Sequence, residues 1–182
     1  MISHSKKFLF IHVPRAGGTS MVVALRKFKP QRVKFHMSAL EFREMYPDKF
    51  QQYFKFSFVR NPWDRMLSEY FYTISKFGKP QKEFNRDEFL KTIKKYDLHH
   101  RTQWSLLSDG KKLLMDFVGR FENLTYDWKF ICEKLGVDIE LPHRNTTQHK
   151  HYSHYYDEET KSAVALRFED DIVKFGYTFD EE

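Results

Sequence analysis

Residues 7–13 (KFLFIHV), rich in aromatic and β-branched positions, meet Pro14 and the pair Gly17-Gly18, a pattern that predicts a buried strand entering a turn. Helical spacing follows over residues 19–28, and residues 32–35 read as a short second strand. Ser38 is placed to cap a helix carrying Leu40, Phe42 and Met45, with Glu41 three positions on completing a capping box and Pro47 ending the element. Residues 53–59 (YFKFSFV) alternate as a core strand, and Pro62 suits the first turn of a helix running to about Phe77. Asp87 reads as the cap of a helix reaching Tyr96. Residues 115–121 form a further strand, leading into a helix over 124–135 closed by Gly136. The last helix has the clearest pattern: Asp157 caps it, Val164, Phe168, Ile172 and Phe175 stripe one face, and Gly176 closes it. Residues 78–86 and 141–156 lack periodicity and are expected to be loops covering a site.

Recurring strand-turn-helix units predict an α/β protein, a three-layer α/β/α arrangement around a central, mostly parallel sheet with ligands at the carboxyl ends of its strands. With 182 residues, 41% of them hydrophobic, one sizeable core can close, so a single domain over residues 1–182 is expected. The longest apolar run, residues 8–13, is interrupted by His12 and falls far short of the roughly 20 residues that span a bilayer. No membrane span and a cytoplasmic location are therefore expected, since Lys6 and Lys7 precede too short a stretch for a signal peptide. Cys132 is the one cysteine, which reads as a buried thiol in a reducing compartment.

A formal charge of +6 points to an anionic partner. It does not select among nucleotide, acidic glycan and nucleic acid. Without a run of five or more basic residues, nucleic acid is not expected.

Two constellations narrow the choice. In FIHVPRAGGTS a strand ends and a helix begins, so the backbone N–H groups of Gly17 to Ser20 should converge on one concavity. The helix N-terminus adds a partial positive charge worth about 0.3–1 kcal/mol to an oxyanion, and Arg15 adds a full one. The nucleoside-triphosphate pattern G-x-x-x-x-G-K-[ST] is absent, because Gly18 stands where its lysine would be. A tight turn whose glycines serve packing alone is the competing reading. In FVRNPWDRMLSEYFY, Arg60 ends a strand and Ser68 lies eight residues on, so a guanidinium and a hydroxyl could share one anion. An ion pair between Asp64 and Arg65 on the helix surface is the alternative use of that segment's charges.

The two motifs resemble those of the carbohydrate sulfotransferase family related to the heparan sulfate and chondroitin sulfotransferases. The family's first motif resembles P-K-x-G-G-T-S and grips a 5′-phosphosulfate; its second resembles R-N-P-x-x-R-x-x-S and grips a 3′-phosphate. The resemblance continues through FVGRFENL at 117–124 and FGYTF at 175–179, so it covers nearly the whole chain. It implies 3′-phosphoadenosine 5′-phosphosulfate (PAPS) as donor, adenosine 3′,5′-bisphosphate as product and a hydroxyl acceptor, a glycan or something related. Arg15, Ala16, Gly17, Gly18, Thr19 and Ser20 would then form a phosphosulfate loop, with Arg60 and Ser68 on the 3′-phosphate. Arg15 departs from the family's usual lysine, keeping the charge on a broader fork.

Sulfuryl transfer is an in-line displacement in which positioning and charge stabilisation supply most of the catalysis. A sulfuryl group carries less charge than a terminal phosphoryl, so no metal is expected; Arg15 and the loop amides would stabilise the departing phosphate. The acceptor must lose a proton, and a histidine, with an ordinary pKa of ~6.5, can take it at neutral pH. His36 is the candidate, since it ends the expected second strand at a position similar to that of the family's catalytic histidine. His99, His100, Arg101 and Gln103 lie where related enzymes contact acceptor, although solvated helix positions would look alike. Thr146 and Thr147 resemble the family's loop over the bisphosphate, and His143, His149, His151 and His154 read as part of a lid rather than a zinc site. A phosphate-loop nucleotide kinase or other phosphotransferase, and a noncatalytic binder of anionic glycan or nucleic acid, are the rival functions.

Overall fold

The computed structural model describes residues 1–31, 33–34, 36–76, 83–142 and 150–180. In chain order its strands and α-helices are β1 (Ile2–Ser3), β2 (Phe8–Phe10), α1 (Gly18–Leu25), α2 (Ala39–Met45), α3 (Pro47–Gln52), β3 (Phe54–Val59), α4 (Pro62–Lys76), α5 (Arg86–Ile93), α6 (Gln103–Leu107), β4 (Phe117–Arg120), α7 (Leu124–Leu135), α8 (Glu158–Arg167) and α9 (Glu169–Phe175). The fold is thus mixed α/β. The chain forms two compact units, Met1–Val59 with Gln103–Asn145, and Arg60–Thr102 with Thr146–Glu182.

The first unit is built on a four-stranded sheet in the order β1-β2-β3-β4. The three predicted strands are its parallel members: Phe8 pairs with Phe54 and Phe10 with Phe56, while Phe56 pairs with Phe117 and Phe58 with Gly119. Their aromatic side chains form the core. Phe8, Phe10, Phe56 and Phe58 pack with Met21 and Leu25 of α1 and with Trp128, Ile131 and Leu135 of α7, all of them buried. Parallel strands buried among helices need such near-continuous apolar runs. Gly119 is required here, because a Cβ on it would lie 2.4 Å from Cε1 of the Phe58 ring.

Three sequence expectations change in this unit. The antiparallel edge strand β1 was not expected, since two residues carry no periodicity; it pairs Ile2 with Leu9. The expected second strand at 32–35 is not one: Val33 and Lys34 carry no strand, Arg32 and Phe35 lie outside the described residues, and the pairing nearby is an isolated bridge between Ile2 and Gln31. Pro47 ends α2 but also opens α3 as its first residue, where its fixed φ and missing N–H suit a helix start. The capping box of α2 is as read: Glu41 N donates to Ser38 Oγ at 3.2 Å and Ser38 N donates to Glu41 Oε2 at 2.8 Å.

The second unit packs α4, α5, α8 and α9 around Trp63, Leu67, Tyr70, Phe89, Tyr152 and Phe168. Aromatic rings meet there edge to face, as Tyr70 and Phe89 do with centroids 5.5 Å apart. The cap of α5 is Asn85, whose side chain accepts from Glu88 N at 2.9 Å, rather than Asp87, which falls in the first turn. The single last helix is two. Phe168 leaves helical geometry at φ −112° and ψ 29°, and α9 restarts with Glu169, Asp170 and Asp171 in its first turn, where acidic residues suit the positive end of the helix. Among the described residues no helix is long and apolar enough to cross a membrane.

Candidate functional site

In the first unit, the ladder between β2 and β3 runs one residue past β2, Ile11 N donating to Phe56 O at 3.1 Å, and Ser57 Oγ donates to Ile11 O at 2.7 Å. The chain then turns through residues 14–17 into α1. Arg15 takes up φ 63° and Gly17, the N-cap of α1, φ 78°. A left-handed conformation is free for glycine but costs a side-chain-bearing residue about 1–3 kcal/mol, and such strain gathers at functional sites. The N-terminus of α1 has no side-chain cap and no acidic residue in its first turn, so helical geometry leaves the N–H groups of Gly18 and Thr19 without an intrahelical acceptor. Ala16 and Ser20 are buried, Arg15 is half-buried and Thr19 is exposed.

Gly18 is required by its neighbour. A Cβ there would lie 2.0 Å from Cδ2 of His12 and 2.2 Å from its Nε2, so the imidazole rests directly on the glycine backbone. His36 lies against the same residue: its ring is 5.1 Å from that of His12, and its Nδ1 donates to the His12 carbonyl at 3.2 Å. A carbonyl can only accept, so Nδ1 carries a proton, and whenever the ring is neutral its lone pair is on Nε2. His36 is buried and, like Arg15, left-handed, with φ 52°. His12 was not among the residues singled out from the sequence; its signal was a histidine within an apolar run just ahead of a glycine pair.

In the second unit, Arg60 follows the last residue of β3 and sits just ahead of α4. Its Nε donates to Asp64 Oδ2 at 2.7 Å, and both side chains are largely buried. Ser68, at 1% exposure, lies one further turn along, so Arg60, Asp64 and Ser68 follow the spacing of a single helix face. Asn61 ties this corner down: its Oδ1 accepts from Trp63 N at 3.1 Å and its Nδ2 donates to Thr178 O at 2.9 Å. The alternative surface pair of Asp64 with Arg65 is not formed. Asp64 pairs with Arg60, and Arg65 is turned inward at 1% exposure, 3.6 Å from the buried Asp171.

The residues read as acceptor contacts divide. His99 is half-buried with Nδ1 3.3 Å from Glu69 Oε2, and Arg101 is half-buried. His100 is buried, its Nδ1 donating to Asp97 at 2.7 Å; loss of solvent pushes its pKa down, against the pull of the Asp97 carboxylate. Gln103, at the start of α6 in the first unit, is wholly buried. Neither His100 nor Gln103 is a solvated helix position. Thr146 and Thr147, with His143 and His149, lie outside the described residues. His151 contacts Ser153 Oγ through Nδ1 at 2.9 Å, beside a short 3₁₀ turn at Tyr152–Tyr155 that carries His154.

The family model described as "Sulfotransferase family" matches residues 1–178. The chain belongs to the sulfotransferase family. A protein of Archaeoglobus fulgidus described as uncharacterized is 34% identical to this sulfotransferase over 100 residues, 54% of this chain and 80% of its own. No solved structure matches it. Membership of the sulfotransferase family supports sulfuryl transfer to a hydroxyl as its general chemistry.

Proposed function

We propose that this sulfotransferase moves a sulfuryl group from PAPS to a hydroxyl of a glycan or related acceptor. In this reading residues 1–182 act as one three-layer α/β/α domain, in which the turn from β2 into α1 is a P-loop-like phosphosulfate loop. Arg15, Ala16, Gly17, Gly18, Thr19 and Ser20 hold the 5′-phosphosulfate, Arg60 and Ser68 the 3′-phosphate, and Thr146 and Thr147 the bisphosphate from a covering loop. The acceptor lies against His99, His100, Arg101 and Gln103.

The observation that carries the proposal is the strained pair Arg15 and His36. Among the described residues four non-glycines have positive φ, and these are two of them. Of the others, Lys7 lies in the turn before β2 and Lys29 caps a 3₁₀ turn. Strain retained at a cationic loop residue and at an anchored histidine fits a prearranged site, where such outliers cluster. An uncapped helix start beside Arg15 fits an oxyanion, and no carboxylate stands in the first turn of α1 to oppose it.

The chemistry then follows from the residues. The acceptor oxygen forms a bond to sulfur as the bond from sulfur to the 5′-phosphate oxygen breaks, and the bisphosphate leaves with that electron pair. His36 Nε2 takes the hydroxyl proton, since Nδ1 is engaged by His12. Arg15 and the N–H groups of Gly18 and Thr19 stabilise the charge growing on the leaving phosphate.

Calorimetry with adenosine 3′,5′-bisphosphate and adenosine triphosphate, both without magnesium, tests the donor. The bisphosphate should bind more tightly, whereas equal or inverted preference would favour a nucleotide kinase. Labelled PAPS offered with glycans, lipids and small alcohols tests the acceptor class.

A further inference from the structure

Between Ile93 and Arg101, beside a 3₁₀ turn at Leu98–His100 capped by Asp97, five backbone carbonyls accept from arginine side chains. Arg65 Nη2 donates to the carbonyls of His99 at 2.9 Å and Arg101 at 2.8 Å. Arg167 donates to the carbonyls of Ile93, Lys95 and His100. A guanidinium carries five donors in a fixed fork, so it can gather successive carbonyls that no strand or helix pairs. Arg65 is itself immobilised: its guanidinium is 5.4 Å from the centre of the Phe168 ring and 3.6 Å from Asp171, a carboxylate with no exposure. Burial pushes the Arg65 pKa down, and the Asp171 and Glu69 carboxylates offset part of that loss while Arg167 adds to it.

Arg65 and Glu69 are one turn apart on α4, on the face next to that of Arg60 and Ser68. Glu69 meets the Nδ1 of His99 at 3.3 Å, and Tyr72 stacks on the same imidazole with centroids 6.3 Å apart. Arginines thus hold the backbone of this segment through the carbonyls of His99, His100 and Arg101, while Glu69 and Tyr72 hold the His99 ring.

Resting on the function proposed above, we infer that Arg65 is a positioning residue for the acceptor: it fixes residues 97–101, and with them His99 and Arg101, onto α4, the helix that carries Ser68. Arg65→Lys keeps the charge but loses the fork. In the full chain, amide exchange followed by mass spectrometry should become about tenfold faster over residues 97–102 in this variant. Affinity for adenosine 3′,5′-bisphosphate should stay within about threefold. KM for chondroitin or heparosan, whichever the unmodified chain sulfates, should rise about tenfold with kcat little changed. Unaltered exchange over 97–102, or bisphosphate affinity falling in step with the rise in KM, overturns the inference. If Arg65→Lys does not fold, Glu69→Gln should show the same rise in KM alone, and an unchanged KM there overturns it. A chain that binds no bisphosphate fails the donor reading and takes this inference with it. One that binds bisphosphate but sulfates neither polysaccharide fails the acceptor assignment alone.

Discussion

His36 donates from Nδ1 to the carbonyl of His12, 3.2 Å away, while the His12 ring rests on Gly18. One residue thus links the proposed base to the first residue of the helix whose N-terminus faces the proposed phosphosulfate. His36→Ala should therefore reduce sulfuryl transfer by about 10²–10⁴-fold. Bisphosphate affinity measured by calorimetry should not change, and a variant that transfers at the normal rate would remove His36 from the base role.

Gly18→Ala tests the packing under that link. The new Cβ would meet His12 Cδ2 at 2.0 Å, so the ring must be displaced and the His36 anchor disturbed with it. A lower melting temperature together with weaker bisphosphate binding is expected. Gly119→Ala makes the comparison: its Cβ would meet the Phe58 ring at 2.4 Å, overpacking the core. Urea unfolding should show a loss of about 1–3 kcal/mol, with bisphosphate affinity of the folded protein retained.

Arg60→Ala removes a charge-assisted donor from a largely buried position. Such bonds are worth about 1.5–3 kcal/mol, so bisphosphate binding should weaken by about tenfold or more. Adenosine 5′-monophosphate, which lacks the 3′-phosphate, should lose much less. Equal losses for the two nucleotides would count against Arg60 as the 3′-phosphate contact.

Asp157 governs a pH dependence. Thr160 N donates to its carboxylate, Arg86 pairs with it and the Thr160 hydroxyl adds a third contact, together holding its pKa well below the usual range. A depressed carboxylate contributes stability above its unfolded pKa of about 3.9 and loses it as pH falls through the folded value. Asp157→Ala should therefore melt below the unmodified chain at pH 7, and thermal scans should show the difference shrinking below about pH 4. A difference that stays constant into acid would show that the charge contributes nothing.

Local signals in the chain were read correctly because they report contacts a few residues apart. The capping box of Ser38 and Glu41, the left-handed close of α7 at Gly136 and the three aromatic runs that became parallel strands each depend on hydrogen bonding or burial within one element. The strand-to-helix turn around Gly17 and Gly18 was legible on the same terms. Partners brought from afar were not. Nothing in the order of residues says that His36 finds the carbonyl of His12, 24 positions earlier, or that Gly18 is glycine because an imidazole lies on it. Spacing along α4 offered Asp64 both Arg60 and Arg65, and folding assigned Arg60 because Arg65 is drawn inward to Asp171, over a hundred residues on. The break at Phe168 escaped for a similar reason: an apolar stripe continues across it, while a buried ring and a restart with three acidic residues divide the helix. Periodicity encodes which face of an element turns inward. Which residue waits on the other side is set only when the chain returns.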